Sequence, residues 1–244
     1  MKDMRGSRRE LPFLNFKPTI FGILIAFALA VFAGPSAQAQ FPSDNLQDLI
    51  SNDGSLVVGD KLFNDFSVTM GGSFLGSLAA SNITVTGMQD GYGYGIQITG
   101  PLAAGGSIAD LTLGYDVSIV TNLPLSISEV HMLFDGALIP GDANGFAEVT
   151  ETVTTNGLFV GQLGVYVSAT ATQMEESLAI TPPNRMVMLS KNVELYAQVG
   201  SFSTISTIDQ TFSQVMVPEP SALALCIAGL SGLVFLRRRS RSSR

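Results

Sequence analysis

Between residues 40 and 217 the chain has no cysteine, no tryptophan, one histidine and three basic side chains, Lys61, Arg185 and Lys191. Each shortage closes a route. The only cysteine of the 244 residues, Cys226, lies in an apolar run near the C-terminus, so no intramolecular disulfide can form. A catalytic thiol in the middle of the chain is excluded for the same reason. A single imidazole, His131, rules out a histidine-rich metal centre and makes any Ser-His-Asp triad depend on it. Alternation through Ile127-Ser128-Glu129-Val130-His131-Met132 sets Glu129 and His131 opposite Val130 and Met132, on what reads as a solvated strand face. No Gly-x-Ser-x-Gly elbow accompanies them. Without tryptophan the strongest platform for stacking a sugar ring is missing, although Tyr92 and Tyr94 in Asp90-Gly91-Tyr92-Gly93-Tyr94-Gly95 share a strand parity and read as hairpin packing.

Against the three basic residues stand seventeen acidic ones over the same stretch, a net of −14. The whole chain stands at −7, because ten of its thirteen basic residues lie near its two ends. A domain of that sign repels nucleic acid and anionic lipid and attracts cations. Asp142-Ala143-Asn144-Gly145 starts like a calcium loop, then places Phe146 at the fifth position and Ala147 where the loop needs glycine. A polar turn after Pro140-Gly141 accounts for it. No metal ligand set or cofactor is assigned, and calcium is kept as an alternative.

Two apolar runs stand out at the ends, both short of the ~20 residues that a spanning helix needs. The first, thirteen residues from Ile20 to Phe32, follows Lys2, Arg5, Arg8, Arg9 and Lys17 and precedes Ala37-Gln38-Ala39. This is the layout of a secretory signal peptide over residues 1–39, with Ala37 and Ala39 as the small residues before a cut at Gln40. The expected partners are a Sec-type export machine and a signal peptidase. The second run, fifteen residues from Ala222 to Leu236, follows Pro218-Glu219-Pro220 and precedes Arg237, Arg238 and Arg239, a cytoplasmic stop for a short transmembrane helix. Pro218 and Pro220 hold the segment before it extended.

Residues 218–244 resemble the PEP-CTERM sorting signal, which consists of Pro-Glu-Pro, a short hydrophobic helix and an arginine cluster. The resemblance implies that Pro218, Glu219 and Pro220 are recognised by an exosortase-type membrane enzyme. It also implies that the tail is removed and the protein released to the cell surface or extracellular matrix. In that reading the protein is a substrate of the enzyme and is itself anchored only transiently.

Residues 40–217 read as one exported domain, long enough for a core of its own. Alternation in Phe66-Ser67-Val68-Thr69-Met70, Ile83-Thr84-Val85-Thr86 and Tyr115-Asp116-Val117-Ser118-Ile119 predicts half-buried antiparallel strands. Asn156-Gly157 between Ala147–Thr155 and Leu158–Thr172 predicts a two-residue hairpin. Further strands are expected over 186–198 and 203–217, after a break at Pro182-Pro183-Asn184, with one short helix over 44–51. About ten strands predict an all-β fold, a β-sandwich or jelly roll. The opening Asn45-Leu46-Gln47-Asp48-Leu49-Ile50, the stretch from Leu56 to Phe66, and the later Asn82–Gly87, Tyr94–Gln97 and Tyr115–Val117 blocks are similar to a β-rich domain common among exported PEP-CTERM proteins. No activity attaches to that resemblance.

A glycosidase needs two carboxylates roughly 5–9.5 Å apart. Glu175 and Glu176 are adjacent and point to opposite faces of a strand, whereas Glu148 with Glu151 or Asp110 with Asp116 would have to converge in the fold. The expectation from sequence is a non-enzymatic surface or matrix protein associated with exopolysaccharide. The alternatives are a carbohydrate-binding or calcium-dependent adhesion module and, third, a divergent polysaccharide hydrolase.

Overall fold

The computed structural model describes residues 41–139 and 144–217, together with 228 and 231. The signal segment with Ala37, Ala39 and Gln40, the sorting motif Pro218, Glu219 and Pro220, the arginines 237–239, Cys226 and Asp142 lie outside the described residues. Among the described residues no helix is long and apolar enough to cross a membrane.

The strands in chain order are β1 (Ser43–Asn45), β2 (Leu56–Val58), β3 (Lys61–Gly72), β4 (Thr84–Gln89), β5 (Tyr94–Gly105), β6 (Ile108–Ile119) and β7 (Leu125–Leu138). They continue with β8 (Phe146–Thr155), β9 (Leu158–Ser168), β10 (Thr172–Gln173), β11 (Glu175–Asn184), β12 (Met186–Tyr196) and β13 (Phe202–Met216). An α-helix, α1 (Leu46–Ser51), comes directly after β1, and a short 3-10 helix (Ala80–Asn82) precedes β4. Two antiparallel sheets result, six-stranded in the order β1-β4-β5-β13-β7-β11 and seven-stranded in the order β10-β9-β8-β12-β6-β3-β2. The expected all-β sandwich is the observed architecture.

The period-2 alternation decides which face of each strand is apolar, and both sheets turn that face to a shared core. From the seven-stranded sheet come Phe63, Leu113, Val117, Val149, Leu163, Leu189 and Val193. The six-stranded sheet supplies Ile96, Ile98, Val130, Met132, Phe134, Ile208 and Phe212. Phe63 meets Phe212 across the interface at 5.8 Å between ring centroids. Asn156 and Gly157, at φ 51° and 75°, make the predicted hairpin turn, with Thr155 opposite Leu158.

Three expectations need correction. The helix starts at Leu46, because residues 43–45 pair with Thr84–Thr86 of β4 and the Asn45 side chain caps the helix by accepting from the Asp48 N–H at 2.9 Å. The strand expected to run to Thr172 stops at Ser168, whose hydroxyl accepts from the Ala171 N–H at 3.1 Å and turns the chain. Beyond that turn lie β10 and β11, strands that alternation alone does not predict. Pro182 and Pro183 lie inside β11, at the sheet edge where missing N–H groups cost no ladder bond, and the pairing with β7 shifts between Ala179 and Asn184.

Candidate functional site

The outer face of the seven-stranded sheet carries a groove of about 530 Å³. Its lining comes from four adjacent strands: Asp65 and Ser67 of β3, Gly114 and Asp116 of β6, Met188 and Ser190 of β12, and Thr152 and Thr154 of β8. The register explains the arrangement. Asn64, Asp116, Met188 and Thr154 stand side by side across the sheet, and so do Ser67, Gly114, Ser190 and Thr152. The first row runs on to Phe159, the partner of Thr154 on β9, which is 69% exposed. Hydroxyls, two carboxylates and an apolar end thus share one surface.

A bulge builds the acidic end. Between Asn64 and Ser67 the pairing of β3 with β6 shifts, so Asp65 and Phe66 oppose the single residue Tyr115. Phe66 turns inward and stacks on Tyr115 at 5.7 Å, while Asp65, at φ 55°, turns outward beside Asp116. Bulges commonly re-aim a side chain in this way, and Asp tolerates the left-handed backbone better than most residues. The Asn64 side-chain amide donates to Asp65 at 2.8 Å. Asp116 is largely covered, and desolvation followed by the nearby Asp65 charge raises its pKa above the usual carboxylate value. Gly114 keeps the floor low, since a Cβ there would come within 2.6 Å of the Ser67 hydroxyl.

The carboxylate pairs considered from sequence do not converge. Glu148 faces outward opposite Glu194, whereas Glu151 is fully buried in the core. Asp110 and Asp116 are six residues apart on one strand, about 20 Å at 3.3 Å per residue. Glu175 is exposed, and Glu176 reaches back to accept from the Gly164 N–H. The pair that the fold does bring to one groove is Asp65 with Asp116. His131 is not solvated as expected: it lies on the face opposite the core, but the Tyr92 ring covers it at 3.7 Å and leaves it 5% exposed. Tyr92 sits in the β4–β5 turn rather than on a strand with Tyr94, which instead lies 5.7 Å from the Lys61 ammonium. Among the described residues no group of three or more His, Cys, Asp or Glu is placed to hold a metal ion.

All three basic residues of the domain are committed internally. Lys61 is buried and donates to Asp60 at 2.9 Å and Gln214 at 3.3 Å. Arg185 donates to the carbonyls of Ile119, Thr121, Leu123 and Leu125, at 3.1, 2.6, 2.8 and 3.3 Å. Lys191 is fully buried between the sheets, donating to Glu151 of the neighbouring strand and to the Gln210 side-chain carbonyl of the facing sheet. The groove is therefore walled without a cation.

No family model and no curated protein matches the chain. Among solved structures it is similar to TmCBM61 in complex with beta-1,4-galactotriose, at 15% identity over 61% of this chain and 89% of that one, with a TM-score of 0.30. It is also similar to the family 32 carbohydrate-binding module of C. perfringens NanJ in complex with galactose, at 11% identity over 60% and 93% of the two chains and a TM-score of 0.23. For Trichoderma harzianum endoglucanase 3 of family GH12 the identity is 10% over 73% and 100% of the two chains, with a TM-score of 0.22. At these scores the likeness decides neither ligand nor chemistry, and the functional reading rests on the groove itself.

Proposed function

We propose that this is an exported surface protein whose β-sandwich binds a neutral polysaccharide along the groove of the seven-stranded sheet. The observation that carries the reading is the groove's composition: hydroxyls and carboxylates in register across four strands, flanked by the exposed Met188 and Phe159, with no cation. Sugar hydroxyls need many short-range donors and acceptors, and the apolar face of a sugar ring needs a flat apolar contact. An anionic polysaccharide is disfavoured by the −14 charge of residues 40–217 and by the lack of a free cation to pair with it. The Ala37-Gln38-Ala39 and Pro218-Glu219-Pro220 segments support export and exosortase-type sorting, which would deliver the domain to the cell surface or matrix, where such polymers lie.

Affinity electrophoresis of the chain through gels containing neutral polysaccharides, with alginate as the acidic control, tests the reading. Retardation by at least one neutral polymer, lost in Asp65→Asn/Asp116→Asn, is the expected result; retardation by alginate alone contradicts it. A second reading is favoured by the Asp65–Asp116 pair, because a glycosidase works with two carboxyl groups in one groove, one of them raised in pKa as Asp116 is. Release of reducing sugar from a retarding polymer, abolished in Asp116→Asn, would make the protein a hydrolase.

A further inference from the structure

Lys191, Glu151 and Gln210 meet in the middle of the sandwich, each fully buried. Lys191 and Glu151 are cross-strand partners on β12 and β8, and Gln210 is delivered by β13 of the other sheet. The Lys191 Nζ donates to Glu151 Oε2 and to Gln210 Oε1 and has Met132 Sδ at 3.5 Å, while the Gln210 Nε2 donates to the His131 carbonyl at 3.0 Å. As an ion pair the cluster is poorly provided for. Glu151 Oε1 has no hydrogen-bond partner, nor does the buried hydroxyl of Tyr115, and a sulfur is a weak third acceptor for an ammonium. What it does contain is an amine in contact with both a carboxamide and a carboxyl group, all three shielded from water.

We propose that Lys191 and Gln210 form an intramolecular isopeptide bond, with Glu151 as the group that moves the protons, so that a covalent amide joins the two sheets. The reaction needs no oxidant and no co-reactant. The Lys191 Nζ lone pair attacks Gln210 Cδ, forming the new C–N bond, and the carboxamide oxygen takes the proton held by Glu151. Glu151 then accepts a proton from Nζ and passes it to Nε2; the oxygen returns its proton to Glu151, the Cδ–Nε2 bond breaks and ammonia leaves. Amine plus carboxamide gives secondary amide plus ammonia, with Glu151 regenerated. Burial lowers the Lys191 pKa and raises that of Glu151, which favours the starting state of free amine and carboxylic acid. Well-oriented intramolecular partners react at effective concentrations of roughly 10⁵–10⁸ M, which is how so weak an electrophile as an amide becomes accessible.

The test is a tryptic digest of the denatured full-length chain read by mass spectrometry. An uncut fragment that begins at Met186, carries both Lys191 and Gln210, and is lighter than its sequence by one ammonia, about 17 Da, is the expected result. Glu151→Gln should be cut after Lys191 and show no deficit. Cleavage after Lys191 in the unsubstituted protein overturns the proposal, and that digest decides the matter even where the variant fails to fold. A loss of water linking Lys191 to Glu151, or a cross-link that survives Glu151→Gln, overturns the assigned roles.

Discussion

At the scale of single residues, the fold places its few cations where each does structural work. Arg185 ties down the β6–β7 connection through four backbone carbonyls, a fan that the planar guanidinium can fill and an ammonium cannot. Arg185→Lys is expected to destabilise by about 1–2 kcal/mol, measured by urea unfolding. Phe212, fully buried against Phe63, joins the two inner faces, and Phe212→Ala should cost about 3–5 kcal/mol in the same assay. The acidic residues act in the opposite sense. Asp116 and Asp209 have pKa values raised mainly by desolvation, so protonation favours the folded chain. The stability they contribute is complete below the unfolded carboxylate value of about 4 and is lost as pH rises through their folded values. The melting temperature should therefore rise as the pH is lowered from neutral towards that window, and Asp116→Asn should flatten part of the rise. A melting temperature that falls steadily over the same range would contradict the assignment.

At the scale of elements, strand alternation was legible wherever the ladder is regular. Phe66, Ser67, Val68 and Thr69 fall on the faces that period 2 assigns them, and Asn156-Gly157 is the turn its chemistry demands. Gly157→Ala should cost about 1 kcal/mol through backbone strain alone, because nothing lies within 4 Å of the added Cβ. The illegible parts are those that depend on pairing. The bulge at Asp65 arises in the pairing with β6, and nothing in Asn64-Asp65 by itself announces the slip of parity that leaves Phe63 and Phe66 both inward and Asp65 aimed into the groove. The groove was hidden for the same reason, since its eight outward-facing lining residues come from strands far apart in sequence. Lys191 could be counted as one of three cations, but its burial against Glu151 and Gln210 required the registers of β12, β8 and β13. Alternation sets His131 on the face that it occupies, and its cover by Tyr92 depends on the β4–β5 turn, which drops that ring over it.

At the scale of the whole molecule, a −14 domain with its cations turned inward presents carboxylates and hydroxyls to its surroundings. Self-repulsion should be relieved by salt, so the melting temperature is expected to climb between low and physiological ionic strength. Calcium has an effect beyond screening only if it exceeds sodium at equal ionic strength. The polar groove on the seven-stranded sheet is the surface through which such a molecule would engage a neutral polymer, and hydroxyl-radical footprinting examines that face directly. Met188, 42% exposed in the groove, and Phe159, at its end, are the reporters, and Met216, 67% exposed, is the internal control. With a retarding neutral polysaccharide bound, oxidation of Met188 and Phe159 should fall severalfold while Met216 is unchanged. Equal oxidation of Met188 with and without the bound polymer would contradict the account.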